Sequence, residues 1–560
     1  MQKITRVIVV LATCGVAVAQ NFSELRVPRG FANEVLVAGG MALPISFDFL
    51  PDGRVLIAEQ HTGLIRVRVG LQVPPIGFVA DVNGSSLVQG LLSIAVDPGW
   101  PLRPYIYVYY NHANPVSGRL AMYAVSGDLT DPNSTNLTLG PRYTILDDLP
   151  DNHFDHNGGT LRFGPDSMLY LSLGDDLDSC AAQSPEFLKG VILRLDTLGL
   201  PLAGSGPPPK SILAAPGNPF SGPLPNGPLV WAFGLRNPFR FEIDPLEAQP
   251  TLCIADVGAL DWEEVDICNQ PGQNFGWPWF EANAVYGFGC QGNAPSNVEA
   301  PNFAIPHPLA LASMTFGICR PDRTDGSLDF GPEYDGDLFI NDYIFGFVRR
   351  VKRDGTNLSL APIVDGQIHP DLWATGFYNV AEGRFGPDGA LYYLRRELPA
   401  QFGRIRPAPA YPGNATDAVL EITVNGQRHE RPDGIVRLQV GDTSRIRIVS
   451  PLGTLLGRPL LVALQPILPG FPAPPALVPG DPEPGLWLTA NATVLVNSFV
   501  VAGGPGAWAI HEAGYHLDPM VAPPWFSAMG ISLLVQLLID DPGHNAYSLG
   551  LSDALEIRAE

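Results

Sequence analysis

His156 follows Asp155 in the run FDHNGGTLRFGPDSMLYLSLGDD, residues 154–176, and the chain returns to carboxylates at Asp175 and Asp176. A neutral imidazole accepts a proton near neutral pH, and a carboxylate can orient it, so this spacing has the makings of a general base with a partner. The competing reading is a turn histidine that donates to a neighbouring loop. Further chemistry-bearing residues are Gln89 in LVQGLLSIAVDP, Arg236 and Asn237 in WAFGLRNPFRF, and the stretches ADVGALDWEEVDIC and GQNFGWPWFE. His112 and His153 read as surface loop residues, and Trp277 and Trp279 as packing.

These residues lie just before, or at the ends of, strands that recur. Six times an apolar or aromatic entry meets a Pro/Asp/Gly turn and then a β-prone run: FLPDGRVLIAE, IAVDPGWPLRPYIYVYY, FGPDSMLYLSLGD, FEIDPLEAQPTLCIADVG, FGPEYDGDLFIND and FGPDGALYYL. Proline fixes φ and glycine accepts positive φ, which sets a tight turn; the alternation after it is strand-like. Six such units without a long helical pattern between them predict an all-β chain with a six-bladed β-propeller, the alternative being a β-sandwich with recurrent hairpins. Loops from different blades would then converge on one face and bring distant residues into one site.

Domain boundaries follow from texture. Residues 1–19 read as a signal peptide, with Lys3 and Arg6 before an apolar centre and Ala17-Val18-Ala19 as the cleavage site, which predicts a secreted, extracellular or periplasmic protein. The propeller is expected over 28–406, a Pro-rich linker over 407–417 and a smaller β-rich, sandwich-like accessory domain over 418–558. HEAGYH at 511 is not a zinc motif, because its histidines are five apart and a helix needs four.

The chain has 560 residues with 60 Gly, 57 Pro and a formal charge of -22, which suits a turn-rich β protein and argues against nucleic acid or an anionic membrane as main partner. No segment beyond the leader is long and apolar enough to span a bilayer. Past Cys14 five cysteines remain; Cys253, Cys268 and Cys290 are near enough in sequence for one or two bridges, with the pairing left open.

DHNGGTLRFGPDSMLYLSLGD, GLRNPFRF and ADVGALDWEEVD…NFGWPWFE, in that order and behind the Gln-Gly-Leu-Leu element, resemble the glucose/sorbosone dehydrogenase family over about residues 28–406. That family comprises six-bladed propellers, among them soluble pyrroloquinoline-quinone (PQQ) sugar dehydrogenases and Hedgehog-interacting-protein-like relatives. The resemblance implies oxidation of a sugar or polyol hydroxyl with hydride transfer to a bound quinone. His156 would be the base, Asp175 the carboxylate that polarises it, and Arg236 and Asn237 the contacts to cofactor and transition state. Gln89 and Asp155 would touch sugar. It also implies Ca²⁺ held by the Gly258 and Ala259 carbonyls with Glu263 nearby.

At the clamp for the three PQQ carboxylates the chain departs from the family: the lysine position falls near Ile344 and the paired arginines near Asn379 and Ala381. Arg349, Arg350 and Arg384 are close in sequence, on strands that can turn a side chain toward the site or away from it. The second reading is therefore a non-catalytic propeller that binds a glycan or protein partner on the same face. A propeller lactonase would need a ring of metal-ligating carboxylates that the sequence does not display.

Overall fold

Each of the six Pro/Asp/Gly turns joins the first two strands of a four-stranded sheet. The computed structural model describes residues 25–409 apart from 223–224, 288–289, 307–312, 319–327, 365–366, 368 and 398, together with the strands and some connections beyond 418. The proposed signal peptide, most of the linker, Cys319 and most of HEAGYH lie outside the described residues.

The turns recur because one device is reused. Asp166 accepts the Met168 N–H at 3.1 Å and the Tyr170 hydroxyl at 2.9 Å. Asp388 does the same with Ala390 and Tyr392, at 3.2 and 2.8 Å. An aspartate that bonds its own backbone two residues on closes the turn, and the tyrosine at the fourth place ties that turn to the outgoing strand.

The sheets open on Pro44–Phe49, Leu91–Val96, Leu161–Phe163, Pro238–Ile243, Ser313–Ile318 and Val380–Phe385. These first strands touch one another in cyclic order, and the sixth touches the first, so six blades close a ring. The last blade is completed by Phe31–Ala38 from the start of the chain beside Gln401–Pro407. This is the six-bladed propeller that the repeat predicts.

At the centre lies Arg240, which is 1 % exposed. Its guanidinium donates to the carbonyls of Ile45 at 2.9 Å, Ala381 at 3.0 Å and Gly159 at 3.2 Å, so the fourth blade is bonded to the first, sixth and third. Burial draws its pKa down to about 10 against the opposing pull of Glu382. Glu382, itself buried, pairs with Arg162 and accepts the Phe47 N–H at 3.0 Å.

Cys180 and Cys290 form the one disulfide among the described residues. Cys253 and Cys268 are buried and outside any disulfide, so of the three closely spaced cysteines Cys290 is the bridged one, and to Cys180. In the paired strands Leu252–Asp256 and Trp262–Cys268, Cys268 stands opposite Leu252 and Cys253 opposite Ile267, so the two thiols take opposite faces. His112 is also not a loop residue: it is 3 % exposed in the strand Tyr105–Ala113, with Nδ1 against the Pro115 carbonyl at 2.8 Å.

The chain divides into two compact units, the second built mainly from residues 407–560. Its strands form a five-stranded and a six-stranded sheet, with single strands off the main path of each. Leu420 and Ile422, and Ile446 and Ile448 on the next strand, are buried at alternate positions, as a half-buried sheet requires.

Candidate active site

The loop before the third blade's inner strand carries His156 in a left-handed conformation, φ 58°, and the imidazole Nδ1 lies 2.7 Å from Asp175 Oδ1. Asp175 is fully buried just past the strand Leu169–Leu173. Its Oδ2 accepts the Trp277 indole N–H at 2.8 Å and the Ser179 hydroxyl at 2.9 Å, and its Oδ1 also accepts the Leu177 N–H at 3.0 Å. Burial alone would raise the pKa of this carboxyl; the bond and charge of His156, with Trp277 and Ser179, outweigh it and hold the group below its ordinary range. An ionised carboxylate on Nδ1 keeps the ring proton there, so Nε2 is the acceptor nitrogen, and it has no hydrogen bond from any described residue.

Close backbone approach builds the rest. A Cβ on Gly174 would stand 2.0 Å from the His156 carbonyl oxygen, so only glycine lets the strand end pass the base loop. The Asp175 N–H donates to the Arg236 carbonyl at 2.8 Å, and Asn237 Oδ1 accepts the Gly158 N–H at 3.0 Å. The Arg236 guanidinium lies 5.5 Å from the Trp277 ring centroid and donates to the Val257 carbonyl at 2.8 Å. Asp256 accepts the Arg236 and Asn237 N–H groups at 2.8 and 2.6 Å, and burial still pushes it up to about 7. Imidazole 156, carboxylate 175 and guanidinium 236 therefore meet through Trp277, which positions two of them rather than merely packing.

Beside this group is a cavity of about 350 Å³ whose walls include Asp155, Asn237 and Val257. The His156 ring is 9 % exposed and follows Asp155 in the chain; it is not itself a wall residue. Asp155 Oδ1 accepts the His156 N–H at 2.9 Å. Gln89 is 5 % exposed and donates to Asp151 Oδ1 at 2.8 Å, so its amide nitrogen faces that carboxylate. Asp151 is itself pushed up to about 6 by burial.

Four polar wall residues escaped the sequence reading: Gln60, Tyr343, Arg396 and Glu397. Arg396 donates to Gln60 Oε1 at 2.6 Å, the Leu87 carbonyl at 2.7 Å and Glu397 Oε1 at 3.1 Å. A guanidinium after the last repeat, LYYLRRE, was the available signal.

The implied cofactors can be tested on these residues. Arg384 pairs with Asp48 at 2.6 Å and Glu242 at 3.4 Å in another cavity, and Arg350 is bound to Asp337 at 2.5 Å. Arg349 lies 5.8 Å from the Phe347 ring. Asn379 bonds Glu397 at 3.2 Å, Ala381 is fully buried, and Ile344 is exposed. The cavity wall thus holds one guanidinium with a carboxylate against it, which does not fit a tricarboxylate.

For Ca²⁺ the loop turns its N–H groups inward: Ala259 and Leu260 donate to Glu281 Oε1, each at 2.7 Å, and Gly258 donates to Glu263 Oε2 at 3.4 Å. No three metal-ligating side chains converge among the described residues. Side chains alone therefore fall short of the six to eight oxygens Ca²⁺ takes, and a site here would depend on backbone carbonyls such as those of Gly258 and Ala259.

A six-bladed ring with a carboxylate-held histidine at its mouth defines the class. Residues 41–341 match the model for "Glucose / Sorbosone dehydrogenase", and the chain belongs to that family. It is 32% identical over 242 residues to the HIPL2 protein of Arabidopsis thaliana, covering 39% of this chain and 33% of that one, so it spans about a third of that relative's length. The aldose sugar dehydrogenase YliI of Escherichia coli K12 is 25% identical over 374 residues, 65% of this chain and 90% of the enzyme.

Among solved structures, one from Thermus thermophilus described as a glucose dehydrogenase superposes with a TM-score of 0.51 at 26% identity, over 67% of this chain and all of that one. The apo aldose sugar dehydrogenase of E. coli does so at 0.53 and 22%, over 67% and 99%, a likeness of fold alone. No helix among the described residues is long and apolar enough to cross a membrane.

Proposed function

We propose that this protein is an exported sugar or polyol dehydrogenase in which His156 is the general base. The observation that carries the reading is the bond from His156 Nδ1 to the buried, ionised Asp175. Nε2 accepts the proton of a substrate hydroxyl, Nδ1–H stays on Asp175, and the carboxylate stabilises the imidazolium that forms. Arg236, fixed by Trp277 and the Val257 carbonyl, supplies positive charge where negative charge develops. Asp155, beside His156 in the chain, meets the substrate, and Asn237 in the cavity wall meets the cofactor. A bound redox cofactor, a quinone in this reading, would take up the hydride from the same carbon. Export is supported by the basic-then-apolar start and by the Cys180–Cys290 bridge, which suits an oxidising compartment.

The test is dye-coupled oxidation over a panel of aldoses and polyols with several quinone cofactors, PQQ with Ca²⁺ among them. Sugar-dependent reduction that His156→Ala abolishes is expected. No turnover in any combination, or an undiminished His156→Ala, would remove the dehydrogenase. The second reading, a non-catalytic propeller that holds a glycan or protein partner on this face, is favoured by one observation: the wall's guanidinium is already engaged by Glu397 and Gln60.

A further inference from the structure

The wall of the cavity beside His156 is largely apolar. Ile45, Val88, Phe239, Val257 and Tyr343 contribute side chains to it, and Leu87 at its rim is 76% exposed. Its charged groups are few: Arg396 is held by Glu397 and the Leu87 carbonyl, and Asp155 adds a negative charge. An anion entering here would meet no uncompensated cation in the wall, and each missing charge-assisted bond weakens it. A free sugar would match the walls poorly too, since each buried hydroxyl needs a partner. The amide NH₂ of Asn237 is the side chain's unengaged donor, because only its Oδ1 is bonded.

From this we infer that the cavity binds an uncharged quinone, a benzoquinone or naphthoquinone, as the hydride acceptor, in place of PQQ. A quinone is a flat apolar ring with two acceptor oxygens and no donor, so it asks for apolar walls and a donor such as Asn237. A volume of about 350 Å³ suits a small bicyclic or alkyl-substituted ring. The inference rests on the dehydrogenase reading for its redox role. The substrate carbon gives up a hydride and becomes a carbonyl carbon, while its oxygen loses a proton to His156 Nε2. The quinone gains that hydride and one proton from the imidazolium or solvent, and leaves as the quinol. Two electrons pass and no other reactant is needed.

Binding decides it without turnover. Titration of the full chain with duroquinone or menadione, followed by tryptophan fluorescence, is expected to saturate in the micromolar range. PQQ with Ca²⁺ should bind at least 100-fold more weakly. Val88 is 38% exposed, so Val88→Asp should fold, which its melting curve checks, and should weaken quinone binding at least tenfold. PQQ binding as tightly as the uncharged quinones, or Val88→Asp leaving their affinity unchanged, overturns the inference. Failure of the dehydrogenase reading looks different: quinone binds as expected, and His156→Ala retains it, yet no sugar or polyol is oxidised. Oxidation with PQQ alone would reverse that outcome, sinking the quinone and keeping the base.

Discussion

His156 Nδ1 and Asp175 share one hydrogen bond, and almost everything proposed for this site passes through it. Asp175→Asn keeps the shape but replaces the ionised acceptor, so the ring can take the wrong tautomer. Turnover should fall by about 10²-fold or more, the range of general-base catalysis, with the Michaelis constant changed far less. Steady-state kinetics of this variant beside His156→Ala measure it, and a KM effect alone would make the carboxylate a binding group. The dyad was legible in the sequence because its members sit at the ends of one hairpin. Trp277, which holds the far oxygen of Asp175, was not, since it comes from another blade 102 residues away.

The loop Asp151–His156 and the strand end it faces form the next scale. Asp151 is 5 % exposed, and burial raises its pKa from an ordinary 3.8 to about 6 although Gln89 donates to it. A folded-state pKa above the unfolded one means the native protein holds the extra proton, so stability falls as pH rises from about 4 to 6 and the full cost persists above. Asp151→Asn keeps an oxygen for Gln89 and removes the charge. It should stabilise the protein at pH 8 by roughly 2–3 kcal/mol, about two pKa units, and do nothing at pH 4. Melting temperatures at both pH values test this; an equal shift at each would show that the carboxylate is not the cause. The hairpins themselves were readable, because an Asp-centred turn and a period of two are local. The inward turn of the Ala259 and Leu260 N–H groups was not, because they answer to Glu281, 22 residues beyond Ala259.

Across the whole molecule, Arg240 acts as a hub that bonds carbonyls of the first, third and sixth blades. Arg240→Leu strips donors from buried carbonyls and compensation from Glu382, and should cost about 3 kcal/mol or more in denaturant unfolding. An unchanged midpoint would show that solvent reaches the channel. The Cys180–Cys290 bridge closes a span of 110 residues between the third and fourth blades. A loop of that size constrains the unfolded chain by about 4–5 kcal/mol, so reduction should lower the melting temperature by several degrees, read by calorimetry with and without reductant.

Local sequence determined the six hairpins, the number of blades and the His156 motif, because turns and alternating strands are written within a dozen residues. Ring closure decided the rest. Arg396 meets Gln60 across 336 residues, Arg240 reaches Ile45 across 195, and Cys180 found Cys290 rather than its nearer thiols. Such partners are set by which blades become neighbours and which strand face each side chain takes. The same cause turned Arg349, Arg350 and Arg384 away from the cavity: each has an opposite charge or an aromatic ring within its own reach, and a fixed strand register holds it there.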